Sequence, residues 1–227
     1  MDLVTLHSKN NHLESSTRIP TGFHLWKPSW SNSKFRSRLL IALLIFICLL
    51  MVFPYFFSFI ESRKGYTFQD PVMEVLPAKD LSIITFSIIW LMSLFLFISM
   101  LRNPSLALRA IIAIDLIFIT RIFTILLLPL EPPPGLIDLH DPISNYFYGD
   151  KHGFITRDLF FSGHTSTMIM IGLLLPQKWE KILAFSAAVL VGILVLIQHI
   201  HYSIDVLGAW VFTWFLYKLS GILAVEP

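Results

Sequence analysis

A single cysteine, Cys48, occurs in the whole chain, and it lies inside an apolar run. Neither a disulfide framework nor a thiolate metal site can be built from it. Charge is also scarce: Asp, Glu, Lys and Arg make up 14% of the 227 residues, against about 25% in a soluble domain. That shortage excludes a disordered chain, a nucleic-acid module and an ordinary cytosolic enzyme. The net charge of +2 is too small to attract a polyanion. Internal repeats and low-complexity tracts are absent too. What fills the chain is apolar, with 55% hydrophobic residues, 20 of them Phe, and a mean hydropathy of +0.70. This is the composition of an integral membrane protein.

A spanning helix needs roughly 20 apolar residues to cross about 30 Å of hydrocarbon. Six runs meet or approach that length: Leu39–Ile60, Leu81–Leu101, Leu106–Leu130, Leu159–Pro176, Ile182–Gln198 and Ile204–Leu223. Helix stops follow where they should, at Asn103-Pro104, over Pro129 to Gly135, and at Pro176. An all-α, polytopic bundle of six transmembrane helices satisfies this much backbone in lipid. The expected organisation is a polar N-terminal segment over 1–38 and a six-span membrane catalytic domain over 39–227.

The N-terminal segment carries Lys9, Arg18, Lys27, Lys34, Arg36 and Arg38 against Asp2 and Glu14. A cleavable signal would place its apolar stretch nearer the start, so the first run is expected to remain as an anchor. The basic cluster before it places the N-terminus in the cytoplasm, with Trp26 and Trp30 at the interface. Counting alternately, the loops at Arg102 and Lys178–Lys181 are cytoplasmic, and both are basic. Segments 61–80 and 131–158 then face outward. The second holds Glu131, Asp138, Asp141, Asp150 and Asp158 against Lys151 and Arg157. Both termini are therefore expected inside, and the outer face is exoplasmic or periplasmic.

Three outward places hold most of the unusual polar residues. They are Ser162-Gly163-His164-Thr165, the run from His199 to Asp205, and Arg121 with Thr120 and Thr124. His201 and Asp205 are four apart and share a helical face. A carboxylate there can hold one imidazole nitrogen protonated and leave the other as nucleophile or base. Ser162, Gly163 and His164 open a helix, where free N–H groups and the macrodipole favour an anion. Arg121 adds planar donors suited to phosphate. Together these describe a phosphoryl site with two histidines, and transfer through a phosphohistidine is its natural reaction.

Blander readings stand beside these. A lone intramembrane His is usually a satisfied hydrogen-bonder between helices. Arg109 and Lys218 read as snorkelling anchors. Asp115, six residues from Arg121, is either a structural partner to another helix or part of a headgroup pocket. Asp158 either orients a histidine or meets a cationic headgroup. His164, His199, His201 and Asp205 are all potential metal ligands, but phosphohistidine chemistry needs no metal, and neither metal nor cofactor is expected.

The stretch from Asp158 to Thr165, followed by His199-Ile200-His201-Tyr202-Ser203-Ile204-Asp205-Val206, resembles the catalytic motifs of sphingomyelin synthases and their relatives. These form the C-terminal-type branch of the type-2 phosphatidic acid phosphatase superfamily. Arg121-Ile122-Phe123-Thr124, leading to Leu128-Pro129 and the proline-rich turn, is similar to that family's third-span motif. Leu76-Pro77-Ala78-Lys79-Asp80 is a weaker echo of another. The resemblance covers roughly residues 70 to 215 and implies a six-span fold with an exoplasmic site. His201 would attack phosphorus, Asp205 would orient it, and His164 would protonate the leaving oxygen, then deprotonate the incoming hydroxyl. Arg121, Ser162, Gly163, Asp158 and Tyr202 would hold the substrate and its phosphate.

Departures from the pattern shape the reading. Thr156-Arg157 stands where synthases usually have Cys-Gly, and Ile200 where they often carry an acid. The extra Arg157 near the mouth points to a substrate more anionic than phosphocholine. The phosphatase pattern of Lys, six residues, then Arg-Pro is absent, and Leu194-Val195 replaces its Ser-Arg pair. The leading expectation is therefore a lipid phosphotransferase with a phospholipid donor and a ceramide or diacylglycerol acceptor. The nearest alternative is a lipid phosphate phosphatase using water, and a more distant one is a non-enzymatic transporter or scaffold.

Overall fold

The computed structural model describes residues 22–138 and 155–224. Residues 1–21 of the polar N-terminal segment, the stretch holding Asp141, Asp150 and Lys151, and the last three residues lie outside the described residues. A 3-10 turn at Phe23–Leu25 leads into α1 (Trp26–Ser31), α2 (Ser33–Ser62), α3 (Pro71–Val75), α4 (Ser82–Arg102) and α5 (Pro104–Leu127). After the outer connection come α6 (Gly163–Leu174), α7 (Lys178–Ile197) and α8 (Ser203–Ala224). The described residues contain only an isolated parallel bridge, between Tyr66 and Leu130.

Helix starts follow local chemistry. Asn32 accepts from the Lys34 and Phe35 amides at 2.9 and 3.4 Å and opens α2. Asn103, followed by Pro104, accepts from Leu106 N at 3.1 Å and opens α5. Both use a short polar side chain to satisfy amides that have no partner within the helix. At α7 the Glu180 carboxylate accepts from Gln177 N at 3.0 Å, closing a capping box.

Among the described residues five helices, α2, α4, α5, α7 and α8, are long and apolar enough to cross a membrane. The sixth expected span is different. In place of Leu159–Pro176, α6 has 12 residues, a length of about 18 Å. Residues 155–162 approach it without helical structure, because Ser162 caps the helix only at that point. The first span is correspondingly longer than its apolar run and begins six positions earlier, at Ser33.

The main core joins α4, α5, α6, α7 and α8. Ala184, Ala188 and Gly192 recur every fourth position on α7 and let neighbouring backbones approach closely. A side chain on Gly192 would come within 3.1 Å of Val206 on α8. Phe161 stacks on Phe212 with centroids 4.8 Å apart, joining the approach to α6 with α8. Helix α2 packs on α5 through Phe56, Ile60 and Ile125 at one end and Phe35, Leu39 and Leu108 at the other. At that second end Trp26 Nε1 donates to the Leu101 carbonyl at 2.7 Å, which docks α1 beneath α4.

At the opposite end the loops are clasped by ions. Arg157 donates through Nη2 and Nε to Glu131 at 2.7 and 3.1 Å, and through Nη1 to the Glu61 carbonyl at 2.5 Å. The Glu61 carboxylate accepts from the amides of Thr156 and Arg157, each at 2.7 Å. Arg157 is therefore committed to protein carboxylates, which corrects the expectation that it selects an anionic substrate. Arg63 donates to the carbonyls of Ile125 and Leu126 at the end of α5.

The Gly65 amide, 2.7 Å from Glu131 Oε1, and Arg157 hold the Glu131 carboxyl below its ordinary range. A lowered carboxyl stabilises the fold above its unfolded pKa, and this contribution is lost as pH falls through the lower, folded value. Glu131→Gln should therefore reduce stability at pH 7 by about 1 kcal/mol, a shift of roughly 2–4 °C. The gap to the unmodified protein should narrow as pH falls through the carboxyl range, as thermal unfolding in detergent will show.

Candidate active site

The end of the bundle that carries this clasp also carries both histidine motifs and Arg121. Helix α5 ends there, α6 and α8 begin there, and two hydrogen bonds fix their relation. Ser162 N donates to the Asp205 carbonyl at 3.0 Å, and Arg121 Nε donates to the Phe161 carbonyl at 2.8 Å. The three polar places singled out in the sequence are thus one place.

His201 lies in the turn before α8 and is almost fully buried, as is Asp205 in its first turn. Nδ1 of His201 faces Asp205 Oδ2 at 3.3 Å. The same oxygen accepts from the Tyr202 amide at 3.0 Å, which stops the carboxylate from swinging away. Across the site His164 stands in the first turn of α6, its ring centroid 5.9 Å from that of His201 and inclined by 64°. Phe86 of α4 covers it from a third direction, with centroids 6.0 Å apart. Nδ1 of His164 is buried without a hydrogen-bond partner among the described residues.

Arg121 reaches over from α5. Its Nη2 donates to Asp158 Oδ1 at 2.8 Å, so Asp158 is an ion-pair partner of the arginine. Nη1 lies against Gly163, where a Cβ would collide with the guanidinium. Gly163 is thus required by the arginine, and not by an unusual backbone angle. Thr124 Oγ1 donates to the Phe160 carbonyl at 2.8 Å, tying α5 a second time to the strand-like approach.

Not every expected residue joins the site through its side chain. The Ser162 hydroxyl accepts from Thr165 N at 3.3 Å and lies 3.1 Å from Thr165 Oγ1, so it serves as the helix cap. Tyr202 is expected at the phosphate, but its side chain is fully buried and its hydroxyl donates to the Glu131 carbonyl at 3.0 Å. Packed with Met73 and Leu159, it holds the outer loop. Burial together with the charge of Asp205 raises its phenol above the ordinary value.

His199 also points elsewhere. It adopts a left-handed backbone angle, φ 56°, and its Nδ1 and Nε2 meet the carbonyls of Pro134 at 2.8 Å and Leu76 at 3.0 Å. Those bonds to two outer loops hold the α7–α8 turn in a conformation that L-residues rarely adopt. The four side chains considered as metal ligands are thereby divided, and the described residues contain no group of three suited to an ion. Asp115 is buried on α5 with Oδ1 unpartnered among the described residues.

Three positioning residues escaped the sequence reading. Asp70 caps α3 through Val72 N at 3.0 Å, and its other oxygen accepts from Ser203 N at 2.6 Å at the start of α8. Burial works against ionisation there, but the amides of Ser203, Val72 and Met73 outweigh it and leave the carboxyl below its ordinary value. Gln198 accepts from Leu81 N at 3.2 Å and donates to Ser82 Oγ at 2.8 Å. Glu61 holds the residues just before Asp158. Asp70-Pro71 is a legible helix-start signal, but nothing local says that it also caps α8.

Residues 157–222 match the family model described as PAP2 superfamily C-terminal. The matched stretch is less than half of the chain. It contains Asp158, Ser162, Gly163, His164, His201 and Asp205, while Arg121 precedes it. The match supports the type-2 phosphatidic acid phosphatase superfamily, whose members are generally lipid phosphatases or phosphotransferases. No curated protein matches the chain.

Gly163→Ala tests how the site is assembled. Alanine favours helix over glycine, so helix content should hold, while displacing Arg121 from Asp158 and the Phe161 carbonyl should cost some thermal stability. The displaced guanidinium should weaken binding of inorganic phosphate or vanadate about ten- to hundredfold, the worth of a charge-assisted hydrogen bond. Calorimetric titration in detergent reads the change, and unchanged affinity would remove Arg121 from anion binding.

Proposed function

We propose that the protein is a membrane lipid phosphotransferase of sphingomyelin synthase type, working through a phosphohistidine on His201. The observation that carries this reading is the pair of imidazoles from α6 and α8, one held by a carboxylate, beside an arginine at a helix N-terminus. With Nδ1–H directed at Asp205, Nε2 of His201 keeps its lone pair for phosphorus. Its attack forms a P–N bond as the P–O bond to the donor lipid breaks. His164 gives the leaving oxygen its proton. His164 then takes the proton of the acceptor hydroxyl, the new P–O bond forms, and the P–N bond breaks. The Gly163 end of α6 and Arg121 offset the charge that gathers on the phosphoryl oxygens.

The donor in this reading is a phospholipid and the acceptor is ceramide or diacylglycerol. With water as acceptor the same residues make a lipid phosphate phosphatase. Helix α6 and its extended approach form the sixth crossing, both termini are cytoplasmic, and the histidines face the exoplasmic or periplasmic side. Asp205 positions His201, and Asp158 keeps Arg121 in place while leaving Nη1 for substrate.

Incubating purified protein with a phosphate-labelled phospholipid should yield labelled product lipid only when ceramide or diacylglycerol is added. Release of free phosphate or headgroup whatever the acceptor would reject the transferase reading in favour of the phosphatase. His201→Ala should abolish turnover and the acid-labile label on the protein. His164→Ala should slow turnover by about 10²–10⁴-fold, the range for a general acid. Full activity of His201→Ala would take the chemistry away from this site altogether.

A further inference from the structure

Helices α6, α7 and α8 enclose a second feature, a groove of about 450 Å³ open to the bilayer side. Ile169 and Leu173 of α6, Phe185 of α7, and Trp210, Trp214 and Phe215 of α8 line it. Ile169 and Leu173 follow His164 by five and nine positions, as Trp210 and Trp214 follow Asp205. The groove therefore begins about 7 Å deeper than the catalytic side chains along both helices. Five residues also rotate a helix by roughly 140° beyond one full turn, so the groove faces away from the imidazoles. Phe185 forms its wall, stacked on Trp210 with centroids 6.1 Å apart and set over Gly172, where a Cβ would lie 3.1 Å from the ring.

Its far end is basic. Lys218 follows Trp214 by four positions, and its ammonium lies 5.5 Å from the centroid of that ring. Lys181 precedes Phe185 by four positions and so shares its face of α7. Neither lysine is ion-paired among the described residues. Trp179 marks the depth: it is exposed near the start of α7, with Nε1 donating to Gln177 Oε1 at 2.8 Å. An exposed indole at a helix start belongs at the headgroup level of a bilayer. Lys181, two positions after Trp179, thus lies near the headgroup level of the leaflet opposite the histidines, and Lys218 flanks the groove beside Trp214.

From this we infer that the groove is a binding site for an anionic phospholipid of the leaflet opposite the catalytic end. One acyl chain lies along Trp214 and Trp210 toward Ile169, and the headgroup phosphate meets Lys181 and Lys218. The site is separate from the catalytic one and holds a resident lipid rather than a substrate. Charge complementarity selects this occupant, since a neutral lipid or a second apolar helix face leaves both ammonium groups unanswered.

Tryptophan fluorescence tests the assignment. In nanodiscs, full-length protein with Trp26, Trp30, Trp90 and Trp179 changed to Phe retains Trp210 and Trp214 as reporters. Brominated phosphatidylglycerol, diluted into unbrominated phosphatidylcholine, should quench them at a mole fraction roughly five-fold lower per lysine than brominated phosphatidylcholine does. Combining Lys181→Gln with Lys218→Gln should bring the two curves together. Native mass spectrometry of the unmodified chain should show retained phosphatidylglycerol in preference to phosphatidylcholine, a readout that needs no variant to fold. Equal curves, or a preference that survives loss of both lysines, would reduce the groove to ordinary lipid contact and overturn the proposal. Absence of quenching by either lipid, with disulfide formation between copies carrying Val211→Cys on a Cys48→Ser background, would assign the groove to a second copy instead.

Discussion

A guanidinium inside an apolar bundle persists only if its donors are answered, and Arg121 is answered by the stretch that leads into α6. Asp158 takes Nη2 and the Phe161 carbonyl takes Nε. Those two bonds decide where the chain stops approaching and where the helix begins. Ser162 then caps, Gly163 makes room for the arginine, and His164 follows in the first turn. From the other side the Ser162 amide is bound to the Asp205 carbonyl. The separation of the imidazoles is therefore set by the backbone around residues 158–163, and not by contact between the rings.

A second set of bonds holds α8. Its first turn is fixed by Asp70 on Ser203 N, by Asp205 on Tyr202 N, and by His199 spanning Leu76 and Pro134. Asp70 and Leu76 belong to the connection between α2 and α4, and Pro134 to the one between α5 and α6. The loops are therefore part of the positioning apparatus, and the Glu61–Arg157–Glu131 clasp keeps them together. Tyr202 joins the two systems, because its amide serves Asp205 and its hydroxyl serves Glu131. One residue thereby couples the state of the outer loops to the orientation of His201.

These couplings explain which parts were legible in the sequence. Apolar runs and cap signals such as Asn103-Pro104 act locally, so five spans were placed to within six residues at either end. The spacing of His201 and Asp205 is also local, and the pair forms as expected. Arg157, Tyr202 and His199 were misread or left open because their partners lie 26 to 123 positions away. Residue type announced a polar group near a phosphate, whereas the fold spends that group on a distant carbonyl or carboxylate. The shortness of α6 was hidden for a related reason: Leu159, Phe160 and Phe161 extend its apolar run, yet Arg121 and Thr124 use their backbone carbonyls before a helix can.

That shortness has a consequence for electrostatics. Helix α7 has 20 residues and pairs with α6 through a connection of three residues, 175–177. At 1.5 Å per residue α7 is about 12 Å longer, so α6 begins well below the level at which α7 ends. Its N-terminus, where the Gly163 and His164 amides are not used by the helix, is therefore recessed among Phe86, Phe161 and the imidazoles. Charges in such surroundings are poorly screened by water, and their interaction with an anion is stronger than at a surface. An arginine and a helix end set back in this way act on a nearby negative charge more strongly than they would at the bilayer surface. The short helix, not an added charge, is what strengthens their field there.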